Sequence, residues 1–216
     1  MKNPKKDKII FLDGGTVNYQ NDLSFRKIAR LGRFEFYHQT LPSQILRRID
    51  GAAIVITNKC VFDRLLLFKA SSLQCLCIAA TGTNNVDLEA ASERGIAVTN
   101  VAGYSTESVV QFTLLFILAL ACRFREMDQW AHDGTWSRSP FFTLPVAGVS
   151  EIQGKILGIV GYGAIGKRVV QTAKAFGMKT LIARIPGRQY SNLEKLKRTS
   201  FEKVVRKSDF LTIHAP

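Results

Sequence analysis

Residues 155–166 have the sequence KILGIVGYGAIG, an apolar run that ends in the glycine pattern G-x-G-x-x-G. The apolar run predicts a buried strand, and the residues from 164 to 176 space apolar side chains along one face of a helix. In such a strand–turn–helix unit Gly161 permits the tight turn, Gly163 lets a pyrophosphate approach the backbone, and Gly166 lets the helix pack closely on the strand. The pattern therefore predicts a dinucleotide-binding turn, and a glycine turn without a ligand is the alternative.

Short apolar runs alternate with helical patterns over the rest of the chain, which is typical of parallel α/β construction. Before the glycine turn, we expect strands at residues 9–12, 34–37, 52–57, 76–80 and 96–99 and helices at 23–31, 41–49, 62–69 and 87–94. After the turn, we expect strands at 179–183 and 210–214 and a helix at 200–207. The fold class is therefore α/β, with one doubly wound parallel sheet in the first half of the chain and a second that contains the glycine turn.

Composition and cysteine spacing set the broad class. The 216 residues are 46% hydrophobic and 22% charged, which is typical of a folded chain of one or two domains. The four cysteines include no C-x-x-C pair, and with three histidines they offer no zinc spacing and no disulfide framework. The apolar run at residues 9–12 is too short for the core of a signal peptide. These features predict reduced thiols in a cytoplasmic protein that holds no metal.

The longest apolar segment is Val109–Cys122. As a helix it would extend only about 21 Å, against a hydrocarbon core of roughly 30 Å, so we expect a buried core helix and no membrane span. Its apolar residues predict that it is covered on most sides, by a domain core and, as a further candidate, by a second subunit. The segment that follows, Arg123–Ser150, has no sustained period and includes Trp130, Trp136, Phe141 and Phe142 among Gly, Ser, Arg and Pro residues. We expect an irregular arm covered by another domain or by a partner subunit.

Positive charge is concentrated near the carboxyl end of the sequence. The formal net charge is +13, and twelve Lys or Arg residues stand against two Glu between Lys167 and Lys207. This cluster is interpreted as a solvated helix face, with attraction of a phosphorylated ligand or of nucleic acid as the alternative. Because no recognition-helix spacing or RNA-binding signature accompanies the charge, nucleic acid is the disfavoured partner.

Arg184 stands eighteen residues after Gly166, where NAD-binding units carry an acidic residue that accepts hydrogen bonds from the adenosine ribose. An arginine cannot accept these bonds, but it can neutralise a 2'-phosphate, and Arg188 is close enough in sequence to contribute. The pair favours NADP over NAD as the cofactor. The alternative is that Arg184 points into solvent and leaves the preference loose.

Several motifs together resemble the D-isomer-specific 2-hydroxyacid dehydrogenases, and most closely their glycerate dehydrogenase (hydroxypyruvate reductase) branch. They are FLDGGT at 11–16, ITNK at 56–59, ATGTNNVD at 80–87, NVAGYSTESV at 100–109 and GKILGIVGYG at 154–163. The resemblance implies an NAD(P)-dependent oxidoreductase that acts on a small 2-hydroxy or 2-keto acid. It also implies a flavodoxin-like substrate domain at 1–103, an incomplete Rossmann cofactor domain at 104–216, and a homodimer formed through the apolar helix and the aromatic arm.

The resemblance also implies roles for particular residues. The turn at Thr81–Gly82 would bind the substrate carboxylate, and Thr106 would lie beside the nicotinamide. The amides of Ala164 and Ile165 would hold the pyrophosphate, while Arg184 would contact the ribose. His214, Ala215 and Pro216 would line the adenosine site at the end of the third cofactor-domain strand, although His214 as a mere strand-ending residue is an equally good interpretation.

Lys59 is a further candidate that follows from position alone. It comes after a predicted strand, at the side of a doubly wound sheet where ligands bind. Its positive charge would suit an anionic substrate, and a solvated lysine is the alternative.

No catalytic residue is assigned. Reduction of a keto acid needs a cation to polarise the substrate and an acid to protonate the alkoxide. The family uses an arginine and a histidine paired with a glutamate, and no motif in the 216 residues matches them, so we expect no turnover by this chain alone. A non-catalytic module that senses a dinucleotide or binds a partner is the alternative. With the cofactor domain incomplete, the strand at 155–160 is expected at the edge of its sheet.

Overall fold

The first half of the chain forms a five-stranded parallel sheet in the computed structural model, which describes residues 7–144, 146–190 and 196–215. The strands are β1 (Lys8–Phe11), β2 (Arg33–Phe36), β3 (Ile54–Thr57), β4 (Cys75–Ile78) and β5 (Ala97–Thr99), in the order β2-β1-β3-β4-β5. This is the flavodoxin-like order, as expected. The helices are α1 (Arg26–Ala29), α2 (Pro42–Arg48), α3 (Arg64–Lys69) and α4 (Leu88–Glu93). The chain divides into two compact units between Tyr104 and Ser105.

One face of this sheet carries the core of the first unit. Alternate strand residues such as Ile10, Val55 and Leu76 are completely buried and pack with apolar residues of the helices. Helix starts are fixed by side-chain caps: the Asp63 carboxylate accepts the amide of Leu66 at 2.8 Å, and the Asp87 carboxylate accepts that of Ala90 at 2.9 Å. Buried strand faces and capped helices thus hold the strand ends in place.

The second unit contains a four-stranded parallel sheet in the order β8-β7-β6-β9. Its elements are α5 (Thr106–Ala121), α6 (Phe124–His132), β6 (Ile156–Val160), α7 (Ala164–Ala175), β7 (Lys179–Arg184), β8 (Thr199–Ser200), α8 (Phe201–Lys207) and β9 (Phe210–Ile213). These are the first four strands of the Rossmann order 3-2-1-4-5-6. The two sheets confirm the α/β class with a flavodoxin-like unit and an incomplete Rossmann unit.

The edge position expected for the strand at 155–160 is wrong. β6 lies between β7 and β9, with Leu157 opposite Phe210 and Val160 opposite Ile213. The short strand β8 was not predicted, and it makes β9 the fourth strand of this sheet and not the third. The fourth strand pairs with the first in this order, so β6 is central. Among the described residues, β9 has no strand on its other side.

Within the second unit, helix α5 is buried on one face only, and coverage of its other side by a second subunit stays a prediction. Val110, Leu114, Ile117 and Ala121 are buried at helical spacing against the sheet core. On the opposite side Phe116 is 61% and Leu120 68% exposed. The exposed residues form an apolar strip along the helix.

The segment after α5 contains a helix where the sequence predicts an irregular arm. Arg123, with φ 53°, turns the chain between α5 and α6, and α6 has its polar residues on one side and Met127 and Trp130 half-buried on the other. Phe141 and Phe142 are exposed beyond it. No single helix of the described residues is long and apolar enough to cross a membrane; only α5 and α6 taken together, across a 71° bend, reach that length and apolarity.

Candidate functional site

The glycine turn of the second unit is a place of close backbone approach. Gly161 follows β6 with φ +96°, and a Cβ placed on it would lie 2.4 Å from the carbonyl oxygen of His214. A Cβ on Gly166 would lie 2.1 Å from the carbonyl oxygen of Gly161. Since real Cβ atoms do not approach carbonyl oxygens this closely, both positions require glycine for the turn and for the packing of α7 on β6.

Gly163 lies on the open side of the same turn. A Cβ placed on it would meet nothing within 4 Å. The first hydrogen bond of α7 runs from the amide of Lys167 to the carbonyl of Gly163 at 2.9 Å. The amides of Ala164, Ile165 and Gly166 have no partner among the residues that the structure describes, and the first turn carries no acidic residue. Three free amides and the positive end of the helix dipole suit a pyrophosphate.

Three arginines, Arg184, Arg188 and Arg198, lie at or near the carboxyl end of β7. Arg184, its last residue, is exposed and forms no ion pair within the described part of the chain. The amide of Ile185 donates to the Tyr190 hydroxyl at 2.9 Å, which folds the following loop back on the strand end. The guanidinium carbon of Arg198 lies 4.1 Å from the centre of the Tyr190 ring, and that of Arg188 lies 5.9 Å from it. Arg184 and Arg188 were predicted from their spacing after Gly166, whereas no local pattern pointed to Tyr190 or Arg198.

The end of β9 closes the other side of the glycine turn. The amide of His214 donates to the carbonyl of Val160 at 2.7 Å, and its ring Nε2 lies 2.9 Å from the hydroxyl of Thr212. Burial lowers the pKa of His214. Ala215 packs on the small cluster around Val204, while Pro216 lies outside the described residues.

Thr106 is the first residue of α5 and is half-buried. The next residue, Glu107, accepts a hydrogen bond from Nε of Arg168 on α7 at 2.9 Å. This ion pair ties the start of α5 to the helix that begins at the glycine turn. Both ends of the pair are partly exposed, so it contributes to positioning more than to stability.

In the first unit, a buried carboxylate occupies the space between the ends of β1 and β3. Oδ1 of Asp13 accepts the hydroxyl of Thr57 at 3.1 Å and the amide of Asn58 at 2.9 Å, and Oδ2 accepts the amide of Lys59 at 2.6 Å. The Lys59 side chain is exposed above this network. Asp13 was not among the predicted site residues, although an acidic residue directly after a buried strand was a signal for this role.

The turn at Thr81–Gly82 follows β4 at the same edge of the sheet. The Thr81 hydroxyl donates to the carbonyl of Val101 at 3.0 Å, and the Asn100 side chain donates to the carbonyl of Thr81 at 2.7 Å. Both turn residues are exposed, and their amides have no partner among the described residues. Two free amides in a fixed turn are suited to binding a carboxylate.

The other histidines do not lie in a site of this kind. Nδ1 of His132, in the last turn of α6, lies 2.8 Å from the backbone oxygen of Asp128 and 3.5 Å from its carboxylate, and these contacts raise the pKa of His132. The pair is fully exposed, as expected of a charge pair at a helix end. His38 is exposed beside the ring of Phe36. Within the described ranges, no group of three His, Cys, Asp or Glu side chains could hold a metal ion.

Comparison with known proteins identifies one family. Residues 12–212 match the model "D-isomer specific 2-hydroxyacid dehydrogenase, catalytic domain". The chain is 34% identical over 212 residues to a putative 2-hydroxyacid dehydrogenase of Haemophilus influenzae, covering 97% of this chain and 65% of that protein. It is 32% identical over 215 residues to a hydroxypyruvate reductase of Blautia hydrogenotrophica, covering 97% of this chain and 66% of that protein.

A solved structure extends the similarity to the fold. The TT0316 protein of Thermus thermophilus superposes with a TM-score of 0.77 at 29% sequence identity, over 97% of this chain and 65% of the other. The chain therefore spans about two thirds of the length of the relatives that it matches.

Proposed function

Because the chain belongs to the D-isomer-specific 2-hydroxyacid dehydrogenase family, we propose that it binds NAD(P) and a small 2-hydroxy or 2-keto acid, and that the reaction transfers a hydride between the cofactor and the acid. Glycerate and hydroxypyruvate are the proposed pair. The observation that carries this proposal is the glycine turn, where Gly163 faces open space and three amides of α7 are free. When bound, the nicotinamide dinucleotide supplies or accepts the hydride.

The two units take different parts in this proposal. The second unit, proposed as the cofactor domain at 104–216, would bind NAD(P) through Thr106, Gly161, Gly163, Ala164, Ile165, Gly166, Arg184, His214, Ala215 and Pro216. The first unit, proposed as the substrate domain at 1–103, would bind the acid through Thr81, Gly82 and Lys59. The free amides of Thr81–Gly82 support the carboxylate site, and the Asp13 network supports a fixed position for the backbone of Lys59.

We propose NADP as the preferred cofactor. An acidic residue at the end of β7 would repel a 2'-phosphate, and the residue there is Arg184. Arg188 follows within the same loop, and neither arginine forms an ion pair with a described residue. A guanidinium group pairs well with the oxygens of a phosphate monoester.

Binding without turnover is the expected behaviour of these 216 residues. Among the described residues, His214 contacts a threonine, His132 lies on an exposed helix end, and His38 has no acidic partner. None of these arrangements supplies a buried acid beside a polarising arginine. The second candidate function is a dinucleotide-sensing module. It would also bind the dinucleotide, but it would not bind a keto acid.

Calorimetric titration of the chain with NADPH, NADH and glycerate tests the proposal. We expect NADPH to bind more tightly than NADH, glycerate to bind separately, and hydroxypyruvate to leave NADPH unoxidised. The control is Gly163→Ala, whose methyl group would enter the space proposed for the pyrophosphate. Absence of binding by both dinucleotides would contradict the proposal, and dinucleotide binding without any effect of glycerate would favour the sensing module.

We also propose that a second copy of the chain covers the apolar strip on α5, and that the protein is cytoplasmic. Phe112, Leu115, Phe116 and Leu120 are exposed along one helix face, and Phe124 continues the strip on α6. The cysteines form no disulfide among the described residues, which supports a reducing compartment. Sedimentation of Phe116→Asp should give a lighter species than the unchanged chain, and Leu31→Asp, at an exposed leucine of the first unit, should have no effect.

A further inference from the structure

Tyr190 is the centre of a small, ordered cluster at the carboxyl end of β7. Its hydroxyl accepts the amide of Ile185, the residue directly after Arg184, and its ring lies beside the guanidinium groups of Arg188 and Arg198. We propose that Tyr190 is a specificity-determining residue, which holds Arg188 and Arg198 together with Arg184 as a preformed site for the 2'-phosphate of NADP. This inference rests on the proposed function, because it concerns the same cofactor.

The loop that follows β7 is folded back toward the end of the strand. The hydrogen bond from the Ile185 amide to the Tyr190 hydroxyl closes the loop that follows β7. Within it, the amide of Arg188 donates to the carbonyl of Ile185 at 3.3 Å, and Gly187 adopts φ +74°. Arg188 is thereby brought back toward the strand end that carries Arg184. A loop without the Tyr190 anchor would leave Arg188 free to sample solvent.

Arg198 is distant from Arg184 in sequence but lies near it through strand pairing. It directly precedes β8, and β8 pairs with the end of β7 through Ala183–Thr199 and Arg184–Ser200. Its guanidinium carbon lies 4.1 Å from the Tyr190 ring centre, within the distance of a cation–π contact. The ring therefore fixes a planar cation beside the strand end, and the side chain is half-buried.

The cluster around Tyr190 is rich in guanidinium groups. Two guanidinium groups lie within 6 Å of one ring centre, and Arg184 adds a third at the adjoining strand end. Guanidinium groups that lie side by side can present several N–H donors to one anion. A phosphate monoester carries close to two negative charges and three acceptor oxygens, which suits more than one arginine.

If the Tyr190 ring only packed under the loop, its loss would not change recognition of the 2'-phosphate. Adenosine ligands with and without this phosphate distinguish a packing role from a role in positioning the arginines. Adenosine 2',5'-bisphosphate and adenosine 5'-phosphate differ only in the 2'-phosphate. We would titrate each into the full chain by calorimetry, and then into Tyr190→Phe, Tyr190→Ala and Arg198→Lys. Tyr19→Phe is the matched control, since Tyr19 is an exposed tyrosine of the first unit.

We expect the unchanged chain to prefer the bisphosphate by about tenfold or more, because one additional charge-assisted contact set is formed. Tyr190→Ala should abolish most of this preference and leave the affinity for adenosine 5'-phosphate unchanged. Tyr190→Phe keeps the ring but loses the hydroxyl, so an intermediate preference is expected. Arg198→Lys keeps the charge but loses the planar stack, and its preference should also fall.

Different failures have different meanings. If the preference persists in both Tyr190→Ala and Arg198→Lys, the inference is overturned while the proposed cofactor site stands. If Tyr190→Ala weakens both ligands equally, Tyr190 contacts the adenosine itself and the inference is again overturned. If the unchanged chain binds neither ligand, the proposed function fails together with the inference. Should Tyr190→Ala not fold, as judged by circular dichroism, the Phe and Lys variants decide the question by the same ratio.

Discussion

The two sheets of this protein differ at the same topological position, the point where the strand order reverses. In the first unit the strand order reverses between β1 and β3, and in the second unit it reverses between β6 and β9. Ligands of doubly wound sheets bind in the crevice at such a point. In the first unit the crevice contains the buried carboxylate of Asp13. In the second, the backbone of Gly161 lies so close to that of His214 that a Cβ on Gly161 would be 2.4 Å from the His214 carbonyl oxygen.

The difference shows how a shared architecture leads to different sites. Asp13 satisfies two backbone amides and one hydroxyl, so this crevice is closed by the chain itself. The anion site proposed for the first unit lies further along the sheet edge, at the free amides of Thr81–Gly82. In the second unit the first amides of α7 have no partner among the described residues, so they are available to an external anion. The Asp13 carboxylate occupies the crevice of the first sheet, whereas the glycine turn of the second sheet leaves amides without a partner among the described residues.

The largest effect is expected from Gly166→Ala. The new methyl group would lie 2.1 Å from a backbone oxygen, where no flexible side chain can move away. We expect the free energy of unfolding of the second unit to fall by about 3 kcal/mol or more. Urea unfolding followed by tryptophan fluorescence measures it, since Trp130 and Trp136 both lie in this unit.

Gly163→Ala is the matched control, because its methyl group meets only open space and φ is −84°. Its stability should change by less than about 1 kcal/mol, while its affinity for NADPH falls. Equal stability of the two variants would show that α7 does not approach β6 as closely as described.

Asp13→Ala is expected to have the next largest effect, this time on the first unit. Removal of the carboxylate leaves the amides of Asn58 and Lys59 and the hydroxyl of Thr57 without an acceptor, at a cost of about 3 kcal/mol. Hydrogen exchange of the Asn58 and Lys59 amides should accelerate strongly, whereas Asp22→Ala, at an exposed aspartate, should leave it unchanged. Slow exchange of both amides in Asp13→Ala would refute the closed-crevice interpretation.

Lys59→Ala should have a smaller effect, limited to the binding of an anionic acid. The exposed ammonium group lies above a backbone that Asp13 fixes, so its loss should weaken glycerate binding by about threefold to tenfold without altering stability. Calorimetry of glycerate binding provides the measurement. Lys69→Ala, at another exposed lysine of the first unit, is the control. An unchanged affinity in Lys59→Ala would identify this residue as a solvated lysine.

The smallest effect concerns the two perturbed histidines of the second unit. Burial lowers the pKa of His214 in the folded chain, so His214 of the unfolded chain is protonated first as the pH falls. The contribution of His214 to the free energy of unfolding therefore decreases as the pH drops below the ordinary value of 6.5. Asp128 raises the pKa of His132, so that contribution is full at low pH and is lost as the pH rises through the folded pKa. Proton NMR should give a lower midpoint for His214 than for His132, with His214→Gln assigning the signal. The reverse order would contradict the burial of His214 at the glycine turn.

Local patterns allowed much of this structure to be predicted. The glycine spacing and the alternation of apolar runs with helical segments follow from short-range sequence, and so both sheets were expected. Contacts between residues that are distant in sequence could not be predicted in this way. The central position of β6 depends on its pairing with residues some fifty positions away in β9, and the start of α6 depends on the left-handed conformation of Arg123.

The candidate site likewise combines residues that local spacing predicts with residues that meet only through the fold. Arg184 was identified by its spacing from Gly166, but Tyr190 and Arg198 meet only because β8 returns beside β7. The role of Asp13 depends on two amides that directly follow β3, some forty-five positions away in sequence. The exposed strip of α5 could not be distinguished from its buried face, because both are equally apolar in sequence.

Amide NMR of the nitrogen-labelled chain during titration with NADPH tests the contrast between the two crevices most directly. The account predicts that the signals of Ala164, Ile165 and Gly166 shift with saturation, because their amides are free to bind the pyrophosphate. The signals of Asn58 and Lys59 should remain in place, because Asp13 already holds them. Shifts at Asn58 and Lys59 with none at Ala164–Gly166 would contradict the account.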